Sequence, residues 1–346
     1  MAKAVKLPSG MWRARVLEYT DANKVKHYKS LTANTKKEAE YLAADYYANK
    51  RSKRGLNADI TLSEAFEEYI TSRSAVLSPT TIRAYYRMAH NQFLCLQDVK
   101  LSNLTNEQIQ KAVNAESKKL APKTVKSAYG LLKSVIKAYA PDLQVNVKLP
   151  QKKKKEIYIP THDEIKKILK ATNQTELGIA VLLAAGLGMR LGEIVALNWN
   201  NVNFETNKIK ISASAAKDKD NKLVIKPPKT LSGIRSVAMP DKVREELEKW
   251  CKENKNEYVL NGLTSNAIYQ RFVWHLKRNN IHHFRFHDLR HYNASVLLAM
   301  GVPDKYAQER LGHATNNMLK SVYQHIIEEK AKKVDSDFND KFSDFF

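Results

Sequence analysis

The stretch from Pro141 to Pro160 constrains this chain most. It shows little apolar periodicity and carries four consecutive lysines, Lys152 to Lys155, so residues 142–160 read as a basic linker and not as a packed element. No single core can be built across such a break. The 346 residues are enough for two or three domains that each bury their own apolar surface. A charge run is ordinarily a solvated face; between two basic domains, Lys152, Lys153 and Lys154 have a second reading, as groups that lie along a polyanion.

Residues 1–57 hold 13 Lys/Arg against 5 Asp/Glu and form the most basic part of the chain. A turn at Pro8-Ser9-Gly10, alternation from Trp12 to Val16, a turn from Asp21 to Lys24 and a second run from Val25 to Leu31 predict a small three-stranded sheet. Thr35 with Glu38 is a capping box that opens a helix from Lys36 to about Arg51. Side chains alternate across a strand, so Trp12, Ala14 and Val16 face that helix while Arg13 and Arg15 face away. Together with Lys26 these are candidate contacts for a nucleic acid, or ordinary solvated charges.

Residues 58–141 read as helical throughout. Thr61 with Glu64 caps one helix, Ser78 followed by Pro79 starts another, Thr105 with Gln108 starts a third, and a fourth covers about Pro122 to Tyr139. Four short helices make one bundle. The polar side of the last presents Lys123, Lys126 and Lys133, for which phosphate contact and a solvated face are both open.

The C-terminal domain, residues 161–334, begins with a helix capped by Thr161 and Glu164. A buried helix follows from about Glu176 to Leu187, broken by Gly186 and Gly188 just before Arg190. Runs at Lys208 to Ser214, Lys222 to Lys226 and Ile234 to Met239 predict one small antiparallel sheet whose last turn carries Lys229. Helices resume at Asp241 to Asn254, Asn266 to Arg278 and His287 to Met300. The fold class is mainly α with small antiparallel β-sheets, α+β. A tail, residues 335–346, sets Phe338, Phe342, Phe345 and Phe346 among four aspartates and either docks on a neighbouring protomer or stays disordered.

The formal charge is +22, from 58 basic and 36 acidic side chains, which makes a polyanion the default partner and predicts salt-sensitive binding. An acidic membrane surface is the bland alternative. Only Cys95 and Cys251 are present, without CxxC spacing, so neither a disulfide framework nor a zinc site is supported. The N-terminus lacks a signal-peptide core, and the longest apolar run, Ile179 to Leu187, is too short to cross a bilayer. Neither a P-loop nor a GxGxxG string occurs. The expectation is a cytoplasmic protein with no metal, no cofactor and no membrane association.

Six residues then stand out by order and context: Arg190 in GMRLGE, Lys229 in PPKTLSGIRSVAMP, His287 and Arg290 in HDLRH, His313 in LGH and Tyr323 in SVYQH. Two guanidiniums can clamp the two non-bridging oxygens of a phosphate, because each is a planar fork that stays charged. A tyrosine near the end of the chain can be a nucleophile. His287 and Arg290, three apart on a helix, share a face. Glu193, three residues after Arg190, reads as the partner that fixes that guanidinium. Any one of these residues in a chain this basic would be unremarkable surface or packing.

Together they resemble the tyrosine recombinase (phage-type integrase) family, whose signature runs Arg, Lys, HxxR, then His or Trp some ten residues before the nucleophilic Tyr. Every position is filled, and the resemblance covers the second half closely and the first in outline. It implies a recombinase catalytic fold preceded by a helical core-binding domain and a small arm-binding sheet domain. It also implies attack by Tyr323 to give a 3′-phosphotyrosine, charge held by Arg190 and Arg290 with His313, Lys229 as general acid, and His287 as base or proton shuttle. The implied partners are double-stranded DNA at core-type and arm-type sites and a homotetramer on DNA. An excisionase and a DNA-bending host protein are candidate accessory factors, and no ATP or metal is required. A type IB topoisomerase or a catalytically inert DNA-binding module is the alternative.

Overall fold

A computed structural model describes residues 3–20, 25–54, 59–151, 158–228, 231–254 and 256–312. The chain divides into two compact units, Met1–Lys152 and Lys153–Phe346. The architecture is α+β. Among the described residues no helix is long and apolar enough to cross a membrane.

The first unit opens with an antiparallel sheet, β1 (Val5–Lys6), β2 (Trp12–Thr20) and β3 (Lys26–Ala33), in the order β1-β2-β3. Helix α1 (Lys36–Arg54) follows, three residues longer than the periodicity implies, and Thr35 Oγ1 accepts from the Glu38 amide at its start. Ala14 and Val16 are fully buried and meet Ala39 and Ala43 of α1. This core is largely alanine. Aromatic rings at its rim carry cations: Lys29 lies 4.9 Å from the Tyr46 centroid and Lys36 lies 6.0 Å from Trp12.

Four helices build the second core of this unit: α2 (Leu62–Thr71), α3 (Pro79–Asn91), α4 (Asn106–Lys119) and α5 (Pro122–Tyr139). Reciprocal capping boxes at Thr61–Glu64 and Thr105–Gln108 set the starts of α2 and α4, and Ser78 with Pro79 starts α3. Residues 141–151 form no helix or strand, yet they are not loose. Leu143, Val145, Val147 and Leu149 pack on the bundle at a period of two. Asn106 donates to the Gln144 carbonyl and accepts from the Asn146 amide, and Gln110 makes the same pair of bonds to Lys148.

The second unit is organised around α7 (Glu176–Leu187), which is buried along nearly its whole length and so shows no amphipathic stripe. Around it lie α6 (His162–Ala171), α8 (Leu191–Val195), α9 (Asp241–Glu253), α10 (Ser265–Arg278), α11 (Asp288–Ala299) and α12 (Asp304–Leu311). Gly188 ends α7 with φ +67, and an added Cβ there would meet Leu311 Cδ2 at 2.3 Å. Gly186 does not break the helix; it lies inside α7, where its missing side chain admits Val243 of α9.

The expected single sheet is two. β4 (Val202–Asn203), β5 (Lys208–Ile211) and β8 (Arg235–Ala238) form one sheet, and β6 (Ser214–Lys217) pairs only with β7 (Leu223–Lys226). The apolar run from Lys208 breaks after Ile211, so its two ends pair with different strands. Helix α11 begins at Asp288, with His287 at its cap.

Candidate active site

The site grows from the C-terminal end of α7. Gly188 turns the chain, Arg190 takes an extended conformation as the cap of α8, and its amide donates to Glu193 Oε2 at 2.9 Å. The same carboxylate receives Arg190 Nη1 at 2.6 Å, while Arg190 Nη2 donates to the Gly312 carbonyl at 2.9 Å. Both bonds tie a side chain that is still 36% exposed.

Glu193 is 3% exposed and has a second cationic partner, Arg235 of β8. Arg235 forks onto it, Nη1 to Oε1 at 3.1 Å and Nη2 to Oε2 at 2.9 Å. Burial alone would raise the Glu193 carboxyl; hydrogen bonds and charge from Arg235, then Arg190, outweigh that and hold it below the usual carboxylate range. Arg235 Nε also donates to the Arg310 carbonyl at 2.8 Å.

Arg290, in the first turn of α11, is 1% exposed. Its Nη1 donates to the Gly188 carbonyl at 2.5 Å and its Nη2 to the Leu311 carbonyl. Burial first, then Arg190 and Arg235, push it down to about 8, which leaves it cationic at neutral pH. The carbonyls of residues 310, 311 and 312 therefore each accept from a different guanidinium: Arg235, Arg290 and Arg190. The final carbonyls of a helix lack intrahelical partners and carry partial negative charge, so the end of α12 is a natural collector of cations. Gly312 closes that helix with φ +64, and a Cβ there would lie 2.8 Å from Arg235 Nη1.

Among the described residues the cluster sets three guanidiniums, Arg190, Arg235 and Arg290, around the one carboxylate of Glu193. Two planar forks anchored on adjacent carbonyls suit a phosphate. His287 stands beside them, its ring edge-on to His291 at 5.1 Å between centroids. Desolvation of its inner side, then His291, Arg290 and Arg190, lower it to about 4. Its outer side is exposed, and screening there softens the effect without reversing its sign. Asp288, 2% exposed, fixes the approach to this histidine by accepting from the Arg285 amide and guanidinium, both at 2.7 Å.

The structure thus brings Arg190, Glu193, His287 and Arg290 together. Lys229, His313 and Tyr323 lie outside the described residues, as do Lys152, Lys153 and Lys154. Arg15 and Lys26 are exposed and Arg13 is half-buried, on the sheet face turned away from α1; Lys123 and Lys126 are exposed on α5. Arg235 is the residue that motif reading passes over. Its signal is phase: in β8 it alternates with Ser236 and falls in register with buried Val237, and an inward-facing arginine in a strand calls for a buried anion. A cleft of about 460 Å³ lined by Glu176, Gln270, Arg271 and Trp274 lies on the same unit and shares no residue with the cluster.

Residues 158–330 match the phage integrase family model. The chain is 26% identical to the tyrosine recombinase XerC-like protein of Caldanaerobacter subterraneus subsp. tengcongensis, over 91% of this chain and 92% of that one. Its fold is that of the Tn1549 transposon integrase in complex with transposon right end DNA, with a TM-score of 0.62 at 18% identity over 76% of this chain and 95% of that one. It is also that of lambda integrase in a tetramer bound to a Holliday junction, with a TM-score of 0.58 at 17% identity over 92% and 94%.

Proposed function

The chain belongs to the phage integrase family and is a tyrosine-type site-specific DNA recombinase; from that premise we propose that Arg190, Lys229, His287, Arg290, His313 and Tyr323 carry the strand transfer. The observation that supports this most is the pair Arg190 and Arg290, anchored on adjacent carbonyls at the end of α12. His313 follows that helix end directly and Tyr323 comes ten residues later.

The phenolic oxygen of Tyr323 attacks the scissile phosphorus, and the bond from phosphorus to the 5′-oxygen breaks. Lys229 gives the leaving oxygen its proton, and His287, neutral at working pH, takes or relays the proton of the phenol. Arg190 and Arg290 hold the two non-bridging oxygens, with His313 donating a further hydrogen bond as charge develops. The products are a 3′-phosphotyrosine and a free 5′-hydroxyl. One phosphodiester is exchanged for another, so no ATP is consumed, and the 5′-hydroxyl of a second strand can reverse the step.

Arg13, Arg15 and Lys26 would contact arm-type DNA, and Lys123 and Lys126, with Lys152, Lys153 and Lys154, core-type DNA. The working assembly would be a homotetramer on DNA in a prokaryotic cytoplasm, with an excisionase and a DNA-bending protein as accessory factors. The test is incubation of the protein with labelled, nicked duplex from the flanks of its own gene, in EDTA. A detergent-resistant adduct with a 3′-phosphoryl link should form with wild type and vanish in Tyr323→Phe. DNA binding without adduct on any fragment would leave an inert DNA-binding module.

A further inference from the structure

We infer that Arg235 is a positioning residue for strand transfer, setting Arg190 through Glu193 and setting the end of α12 through the Arg310 carbonyl. The inference rests on the recombinase reading above. Arg190 is partly exposed and carries a long side chain, so its direction needs an external constraint. Its one carboxylate partner among the described residues is Glu193, and because Arg190 meets that carboxylate through its own amide and Nη1, the two side chains could still rotate together. Arg235 prevents that rotation by engaging both oxygens at once, a bidentate geometry that fixes a plane as well as a distance.

The same guanidinium reaches further. Its Nε holds the Arg310 carbonyl, and Arg310 returns a bond from Nη2 to the Ala238 carbonyl of β8 at 3.1 Å, closing a ring between strand and helix. Arg235 also donates to the Gly233 carbonyl at 3.2 Å and packs against Gly312. One side chain therefore touches the segment of Arg190, the segment that follows Lys229 and the turn that precedes His313. A buried ion pair contributes little net stability over apolar residues of similar volume, so what this pair supplies is direction. Lysine cannot substitute: an ammonium is a point charge without a fork.

The experiment uses the full chain as wild type, Tyr323→Phe, Arg235→Lys and the double variant Glu193→Gln/Arg235→Met, with the same nicked duplex. Melting temperature, DNA affinity by gel shift and the single-turnover rate of adduct formation are read in parallel. Arg235→Lys should keep its affinity within about threefold while the rate falls on the order of 10- to 100-fold, the usual cost of a misplaced group. The double variant should melt at or above the temperature of Arg235→Lys and remain as slow. A folded Arg235→Lys protein that forms adduct within twofold of wild type overturns the inference, and so does a double variant that regains both melting temperature and rate. If Arg235→Lys does not fold, the double variant decides alone. Absence of adduct from wild type would instead bring down the recombinase reading, and this inference with it.

Discussion

At pH 7 the imidazole of His287 is neutral, and this has a consequence for stability with a definite sign. Desolvation first, then His291 and the two guanidiniums, lower it to about 4 in the folded chain, against roughly 6.5 when unfolded. Between those values the unfolded state binds the extra proton, so stability rises with pH through the window, is complete above about 6.5 and is lost as pH falls toward 4. His291 is shifted in the same direction, again with burial as the main cause. Glu193, held below the carboxylate range, adds its own loss at lower pH still. Denaturant melts in pH steps should show this climb, and His287→Asn should remove roughly 1 kcal/mol of it once screening at the exposed edge is allowed for; an unchanged slope in His287→Asn would assign the dependence to other groups. Some residues of the cluster announce themselves in the sequence and one does not. Arg190, His287 and Arg290 are recognisable because each lies in a short string whose spacing already states the chemistry. Arg235 is not, because its partner Glu193 is 42 residues away and only the fold brings them together; a strand phase that buries an arginine is the one local hint.

Among the elements, those fixed by local chemistry are the ones that can be read in advance. The capping boxes at Thr61, Thr105 and Thr161 place three helix starts, since a side chain three residues from its own backbone partner needs no tertiary information. Strand pairing does need it, and β5 and β6, two residues apart, joined different sheets. Residues 143–149 are a third case. The alternation of Leu143, Val145, Val147 and Leu149 spans only seven residues, so it does not stand out across Pro141 to Pro160, and without a second strand to pair with it passes for linker. Its partner is the helix α4, through Asn106 and Gln110. Each lost side-chain to backbone bond costs about 0.5–1.5 kcal/mol, so Asn106→Ala, which loses two, should destabilise the first unit by roughly 1–3 kcal/mol and speed hydrogen exchange at the Asn146 amide, leaving exchange in α7 unchanged. If that amide keeps its protection, the apolar contacts of Leu143, Val145, Val147 and Leu149 hold the segment without this polar strap.

For the whole molecule the governing quantity is charge, +22 over 346 residues with 13 basic side chains in the first 57. Such a field attracts any nucleic acid, so affinity alone cannot distinguish residues that touch phosphate from those that merely contribute to the potential. Salt dependence can, because each neutralised phosphate releases counterions and adds about 0.9 to the slope of log affinity against log salt. Arg13, Arg15 and Lys26 lie on the sheet face turned away from α1, and Lys123 and Lys126 on the solvent face of α5. If the first three contact arm-type DNA, replacing all of them with Gln should reduce the slope on arm duplex by roughly 2–3, at the 0.9 per phosphate given above. The rate of adduct formation on a duplex containing only the core site should not change. Replacing Lys123 and Lys126 should do the reverse, reducing the slope by up to about 2 on core duplex and sparing arm duplex. Affinity that falls with an unchanged slope would make these groups sources of the general field and not phosphate ligands. The specific reaction would then rest on the guanidinium cluster of the second unit, where Arg190 and Arg290 are held by carbonyls of the same helix end.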